Sequence, residues 1–203
     1  NPNHLAGGQG GSGGAYSLIT TNSISGFDFM TAAFPSEYSN AVSGVIDVSL
    51  KSGNNSKREF SAGVGVIGAE VSVEGPLGKN SEASIFANVR YSNFSFLKTL
   101  KLVDLKYVAI TPKAFDWAMK LTYPTGKAGT FELFSIGGES YVGDEINLDD
   151  ESSQITDRSE YLYKYSVGVA GLKHTYRLPG TGTYIRTVIG LTTQNEEMEE
   201  NIV

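Results

Sequence analysis

The chain has 203 residues and no cysteine, which excludes a disulfide framework and a thiolate metal site. Its formal charge of −6 and isoelectric point near 5.0 argue against a nucleic-acid binder, which normally presents a basic face. No run of about 18 apolar residues is present, which excludes a membrane-spanning helix but leaves open a barrel of short, half-apolar strands.

The first part of the chain, residues 1–57, has a different character from the rest. Residues 7–14 form a glycine-rich loop whose backbone can approach other groups closely, with a flexible linker as the alternative interpretation. A strand is predicted over residues 42–50, closed by the polar run at 51–55. Both ends of the chain are expected to be cut from a longer protein, because no targeting signal precedes the first residues and a strand-like run turns acidic at the last.

From residue 58 onward, apolar side chains recur at every second position, which predicts β-strands. The apolar phase reverses near Ile67 and Gly68, and a tight hairpin there explains the reversal most simply. The clearest stripe consists of Phe115, Trp117, Met119, Leu121 and Tyr123. A second phase change at Gly171 predicts a β-bulge. About seven strands of roughly 10 to 14 residues are expected, and because no helical period separates them they should pair antiparallel, up and down.

The connections between these strands alternate in length, which favours a transmembrane barrel over a soluble sheet. The short ones lie at residues 78–81, 124–127 and 179–181, and the long polar ones at 97–112 and 143–160. Outer-membrane barrels have short turns at the periplasmic rim and long loops outside. The soluble alternative is a β-sandwich or jelly roll, whose strands also have one apolar face, and periodicity does not separate the two.

Residues 1–5, the glycine-rich run and residues 27–48 resemble the C-terminal half of the plug domain in TonB-dependent receptors of the Bacteroidetes type, whose precursors carry a carboxypeptidase-regulatory-like domain. The most specific part is Phe-Pro-Ser-Glu-Tyr at 34–38, followed by Ser-Gly-Val-Ile-Asp-Val at 43–48. Residues 51–55 and 73–79 resemble the family's entry into its first barrel strands. The resemblance covers nearly the whole chain and weakens after about residue 125.

The resemblance implies a mainly β fold: antiparallel up-and-down strands of a partial transmembrane β-barrel, preceded by the C-terminal part of a plug. It divides the chain into plug at 1–57 and the first barrel strands, about seven, at 58–203. The whole barrel would have about 22 strands and a plugged lumen, and would lie in the bacterial outer membrane. No catalysis, no cofactor and no nucleic-acid partner are expected.

The same resemblance implies import of a scarce nutrient, whether siderophore, glycan, peptide or cobalamin. Energy would come from the TonB complex, which would contact an N-terminal segment that this sequence does not include. Outer-membrane lipid is a further implied partner, and a neighbouring surface lipoprotein would point to glycans or peptides as the cargo. The functional alternative is a secreted or surface β-sandwich that binds glycan or mediates adhesion.

Candidate ligand-binding residues follow by analogy with a plug that binds its substrate at the outer surface. The local segments are residues 1–16 and 34–40. The candidates in these loops are Asn3, His4, Gln9, Tyr16, Glu37, Tyr38 and Asn40.

An acidic cluster in the second long loop is the one weak candidate for a metal site. Its members are Asp144, Glu145, Asp149, Asp150 and Glu151. Oxygen-rich loops bind calcium, but this spacing does not match an EF-hand, so a solvated extracellular loop is favoured. The later run of Glu196, Glu197, Glu199 and Glu200 is interpreted in the same way.

The sequence carries no constellation for catalysis. Its two histidines, His4 and His174, are far apart, and no Gly-x-Ser-x-Gly elbow is present. As an isolated piece, the chain is expected to form an open, curved antiparallel sheet whose unpaired edges invite pairing between copies.

Overall fold

The computed structural model describes residues 3–6, 14–31, 34–38, 44–79, 81–93, 112–143 and 159–202. Within these ranges the chain is mainly β, with short 3-10 turns at Thr21–Ser23, Ser36–Tyr38 and Gly126–Ala128. The strands are β1 (Asn3–Ala6), β2 (Gly14–Ser17), β3 (Ile24–Met30), β4 (Val45–Leu50), β5 (Glu59–Gly65), β6 (Gly68–Pro76), β7 (Ser84–Asn93), β8 (Lys113–Pro124), β9 (Thr130–Gly143), β10 (Ser159–Arg177) and β11 (Tyr184–Ile202).

Strands β5 to β11 form one seven-stranded antiparallel sheet in which each strand pairs with its neighbours in chain order. This confirms the predicted number of strands and their up-and-down arrangement. β5 and β11 are the edges, each paired with a single neighbour in the part of the chain that the structure describes. The strands lengthen along the chain, from 7 residues in β5 to 19 in β10 and β11. The last two are longer than predicted, and the acidic run at 196–200 lies within β11.

The tight turns of the sheet agree with the sequence. Gly65 pairs with Gly68, so a two-residue turn joins β5 to β6, one residue before the predicted position. The turn between β8 and β9 contains Gly126 and Gly129 at φ angles of 63° and 92°, a backbone region that favours glycine. The long connections fall largely outside the described residues.

The predicted bulge at Gly171 is wrong. β10 pairs with β9 and with β11 without a register shift on either side of this residue. A Cβ atom at Gly171 would lie 2.5 Å from Cζ of Phe134, so the glycine leaves room for an aromatic ring. The apolar alternation in the sequence changes phase near Gly171 because the apolar residues of β10 change face. Val167 lies on one side of the sheet and Leu172 on the other.

The two faces of the sheet have opposite character. One face, here called the covered face, carries Asn88 and Asp116, each only 1% exposed beneath the N-terminal strands. The other, here called the open face, carries the Trp117 stripe. On it Val71 is 51% and Met119 45% exposed. The covered face therefore buries polar as well as apolar side chains, whereas the open face exposes apolar ones.

Strands β1 to β4 form two separate antiparallel hairpins, β1 with β2 and β3 with β4. An isolated two-stranded hairpin is marginally stable in water, so contacts with another layer must help to hold each one. One such contact is a small apolar cluster in which Leu18, just after β2, packs against Tyr165 and Val167 of β10. The N-terminal part of the chain is thus seated on the covered face.

Candidate functional site: the covered face and its cleft

A buried polar junction joins the β1–β2 hairpin to the sheet. Nε2 of His4 is hydrogen-bonded to Oδ1 of Asp116, and both side chains are almost fully buried. Oδ2 of the same carboxylate accepts from Nε of Arg90 at 2.8 Å and lies 2.6 Å from its Nη2. One carboxylate on β8 therefore binds a histidine of the β1–β2 hairpin and an arginine of the neighbouring strand β7. Such charge-assisted bonds are about twice as strong as neutral ones.

Tyr16 extends this junction along the sheet. Its hydroxyl is hydrogen-bonded to Oγ of Ser92, and its ring stacks on His4 with centroids 5.9 Å apart. The guanidinium of Arg90 lies 4.3 Å from the centre of the Tyr16 ring and also donates to the carbonyl of Ser17. Arg90 thus contacts the hairpin through the Tyr16 ring and the Ser17 backbone, which fixes the position of β2 on β7.

The close approach of the hairpin requires a glycine in the sheet. A Cβ at Gly138 would lie 2.4 Å from Cδ2 of Leu18, 2.6 Å from Oδ1 of Asp116 and 2.7 Å from Cε1 of His4. Just after the hairpin, the buried Thr20 donates from Oγ1 to Oδ1 of Asn88 at 3.3 Å. The hairpin therefore sits directly on the backbone of β9.

The segment between β4 and β5 is held by one carboxylate. Glu74 of β6 accepts from Nζ of Lys51 at 2.5 Å and from the backbone N–H of Asn54 at 3.0 Å. A Cβ at Gly53 would lie 2.0 Å from the carbonyl oxygen of Ile85, so the segment runs against the backbone of β7. Farther on, the hydrogen bond and charge of Glu59 raise the pKa of Lys57 above its ordinary value. The connection into the sheet is therefore anchored.

A cleft of about 520 Å³ lies between the β3–β4 hairpin and the sheet. Its charged lining residues are Asp28, Asp47, Lys120, Glu132, Lys173 and Arg186, and its apolar lining includes Leu50, Phe134 and Ile136. Glu132 accepts from Nζ of Lys120 at 2.6 Å and from Nζ of Lys173 at 2.7 Å. The cleft therefore has a polar and charged floor with apolar side chains beside it.

The open face carries a band of apolar side chains. Cross-strand pairing places Val71, Val89 and Trp117 in one row. The indole N–H of Trp117 donates to Oγ of Ser135 at 3.2 Å. Aromatic pairs border the band at both ends: Tyr123 with Phe131 near the short turns, and Tyr91 with Phe115 towards the long connections.

The predicted ligand-binding residues fall into four groups. His4 and Tyr16 come together in the buried junction, where their polar atoms bind the sheet. The Tyr38 hydroxyl donates to Oδ2 of Asp47 at 2.8 Å, beside the charged cleft. Asn3 lies in β1 and Glu37 in the 3-10 turn at Ser36–Tyr38, with only their backbones described. Outside the described residues lie Gln9, Asn40 and the acidic cluster Asp144, Glu145, Asp149, Asp150 and Glu151.

Sequence reasoning missed the partners that the sheet contributes. Arg90, Asp116 and Glu132 were not among the predicted site residues. A usable signal was present, since charged residues that alternate with a strongly apolar stripe must face something polar. What they face could not be identified, because the contacting residues are far away in the chain.

In the described part of the chain, no helix combines the length and hydropathy needed to cross a bilayer. Within the same residues, no group of three or more histidine, cysteine or acidic side chains is arranged to hold a metal ion. Comparison with known proteins gives no matching family model, no matching curated protein and no matching solved structure.

Proposed function

We propose that this chain is part of an outer-membrane β-barrel transporter of the TonB-dependent type. The seven-stranded sheet is a section of the barrel wall, and β1 to β4 belong to the plug that fills the lumen. The transporter imports a scarce nutrient with energy delivered through TonB, and the chain itself performs no catalysis.

The observation that carries this proposal is the inverted polarity of the sheet. In water, exposed apolar area costs about 25 cal/mol for each Å². A stripe such as Val71, Val89 and Met119, with about half of each side chain exposed, is therefore unfavourable on a soluble protein. Against lipid the same stripe is in its preferred environment. The polar residues then face the lumen, as in membrane barrels.

The size of the apolar band supports the same conclusion. Phe115 and Tyr123 are eight residues apart on β8, which corresponds to about 27 Å along a strand. A tilt of about 40° reduces this to roughly 20 Å along the membrane normal, close to the apolar belt of outer-membrane barrels. The bordering aromatic residues match the interfacial girdles of such proteins.

The polar junction has a physical role in this proposal. A wide lumen cannot be filled by wall side chains, so a separate segment must block it. Hydrogen bonds between plug and wall contribute about 0.5 to 1.5 kcal/mol each, or about 1.5 to 3 kcal/mol where a group is charged, because water replaces them when they break. A plug seated through polar contacts can therefore be held firmly and still be displaced by a pulling force without exposing a large apolar surface.

Spin labelling along β8 tests the proposal. The full-length polypeptide that carries this chain is reconstituted in liposomes with single nitroxide-labelled cysteines at successive positions from Phe115 to Leu121. We expect odd positions to be accessible to oxygen and protected from a water-soluble nickel complex, and the buried positions Asp116 and Ala118 to be protected from both. The chain has no native cysteine to remove. Thr181, in a short turn, is the control, where high nickel accessibility is expected.

Two outcomes would contradict the proposal. High nickel accessibility at Phe115, Trp117 and Met119 would show that the stripe faces water. Protection of these positions from both reagents, in a protein that stays in the aqueous fraction, would support the soluble β-sandwich instead.

A further inference from the structure

We propose that the charged cleft between the β3–β4 hairpin and the sheet binds a zwitterionic ligand, an amino acid or a short peptide with free termini. The inference deepens the proposed function, on which it rests for the role of this ligand as cargo. It starts from the separation of charge across the cleft.

The hairpin side of the cleft is acidic. Asp28 of β3 and Asp47 of β4 are directly opposite each other in the register, and like charges in that position repel. The Tyr38 hydroxyl donates to Asp47. No cationic side chain among the described residues lies within ion-pair distance of either carboxylate. This side of the cleft therefore lacks a positive partner.

The sheet side has an excess of positive charge. Glu132 is a single carboxylate shared by the ammonium groups of Lys120 and Lys173. Arg186 of β11 lies 5.4 Å from the centre of the Tyr184 ring, and no carboxylate in the described ranges is paired with it. One negative group thus faces three positive ones, and the guanidinium of Arg186 is available for a further anion.

Opposite charges line the two sides, yet no ion pair bridges the cleft between described residues. A ligand with an ammonium at one end and a carboxylate at the other would bind Asp28 and Asp47 on the hairpin and Arg186 on the sheet. Guanidinium groups bind carboxylates with two parallel hydrogen bonds, which adds directional specificity.

The remaining lining restricts the ligand further. Leu50, Phe134 and Ile136 provide an apolar surface for a hydrocarbon side chain. The volume of about 520 Å³ lies within the range of small-molecule sites, about 300 to 1,000 Å³. A phosphate-rich ligand would be repelled by the paired aspartates, and a neutral sugar would leave both sets of charges without partners. A short apolar peptide matches every side of the cleft.

The position of the cleft indicates the stage of transport at which the ligand would bind there. Lys120 and Glu132 lie near the short turn that joins β8 to β9, at the edge of the sheet opposite the long connections. In the proposed orientation this edge faces the periplasm. The ligand would therefore bind here late, after passing the β1–β2 junction.

Titration calorimetry on the full-length polypeptide in detergent micelles tests the inference with three probes: leucyl-leucine, its N-acetyl form and its C-terminal amide. We expect saturable binding of the free dipeptide and about tenfold weaker binding of each blocked form, because each lacks one charged contact. Arg186→Gln should make the dipeptide and its amide bind equally. Asp28→Asn should reduce the preference for the dipeptide over its N-acetyl form. Lys79→Gln, in an exposed turn away from the cleft, is the matched control.

Equal binding of all three probes, or no saturable binding of any, would overturn the inference. So would Arg186→Gln and Asp28→Asn variants with the same probe preferences as the unmodified protein. These results are independent of the spin-label pattern on β8. Loss of peptide binding with an intact lipid pattern would reject the ligand and leave the transporter proposal standing. An altered lipid pattern would reject the transporter proposal itself.

Discussion

His4 and Asp116 are 112 residues apart in the chain and are hydrogen-bonded, each with only 1% of its side chain exposed. Arg90 binds the other oxygen of the same carboxylate. The carboxylate thus links three elements: the first strand of the N-terminal segment and two adjacent strands of the sheet. Because burial makes an uncompensated charge costly, this link should contribute strongly to the seating of β1 and β2.

The first prediction concerns Asp116→Asn, which preserves shape and removes charge. Arg90 would be left without its carboxylate, at 15% side-chain exposure. Breaking a buried pair in this way typically costs about 3 to 5 kcal/mol. We expect a free energy of unfolding lower by about 3 kcal/mol, and faster amide hydrogen exchange in β1 and β2 than in β8.

The exposed ion pair of Lys57 and Glu59 is the matched control for this variant, because it has the same chemistry without burial. Lys57→Gln should leave the free energy of unfolding unchanged within error, since solvent screens surface pairs. Equal effects of Asp116→Asn and Lys57→Gln would show that burial of the junction does not strengthen it.

The second prediction concerns Gly138→Ala. The added Cβ would collide with Leu18, His4 and Asp116 at distances of 2.4 to 2.7 Å. Overpacking of this kind costs about 1 to 3 kcal/mol, and here the N-terminal hairpin must move because strand β9 is held by two neighbours. We expect faster proteolysis after Tyr16, measured by mass spectrometry. Gly63→Ala has no atom within 4 Å of its new Cβ and should leave the cleavage rate unchanged.

The strands could be predicted where the apolar side chains stay on the same face along the whole segment. In β8, every second side chain lies on the open face, so Trp117 and Met119 reveal both the strand and its face. In β10 the apolar side chains change face: Tyr165 packs on Leu18 on the covered face, whereas Leu172 lies on the open face. A change of face and a change of register leave the same trace in a sequence, so the bulge was predicted wrongly.

The candidate site was less predictable than the strands. His4 and Tyr16 were selected as ligand contacts, and the structure brings them together, but their partners are Asp116 and Ser92. Local patterns carry no information on which distant strand a loop will meet. Their proposed role in ligand binding stays a prediction.

The third prediction uses Trp117, the only tryptophan in the chain. Its ring covers Gly137, where a Cβ would lie 2.2 Å from Cζ2 of the indole. Gly137→Ala should therefore move the ring away and break the 3.2 Å hydrogen bond from its N–H to Ser135. We expect a shifted emission maximum in the steady-state fluorescence spectrum of the folded chain.

Ser135→Ala provides the comparison, since it removes the hydrogen bond without displacing the ring. Its emission shift should be smaller than that of Gly137→Ala. An unchanged spectrum for Gly137→Ala would mean that the indole does not lie over this glycine.

The fourth prediction concerns Glu74, which receives both Lys51 Nζ and the Asn54 backbone N–H. Glu74→Gln removes the charge from a residue that is only 9% exposed. Hydrogen bonds to charged groups contribute about 1.5 to 3 kcal/mol, so we expect the segment after β4 to open more often. Hydrogen exchange of the Asn54 amide should accelerate by about tenfold or more.

A double-mutant cycle separates the two contacts of Glu74. Lys51→Met removes only the ammonium, so Asn54 should remain protected by the carboxylate in that variant. Because Lys51 and Glu74 bind each other, the effects of Lys51→Met and Glu74→Gln should not add. Strictly additive effects, or an Asn54 amide that exchanges equally in Glu74→Gln and in the exposed control Glu82→Gln, would contradict the view that this carboxylate anchors the entry into the sheet.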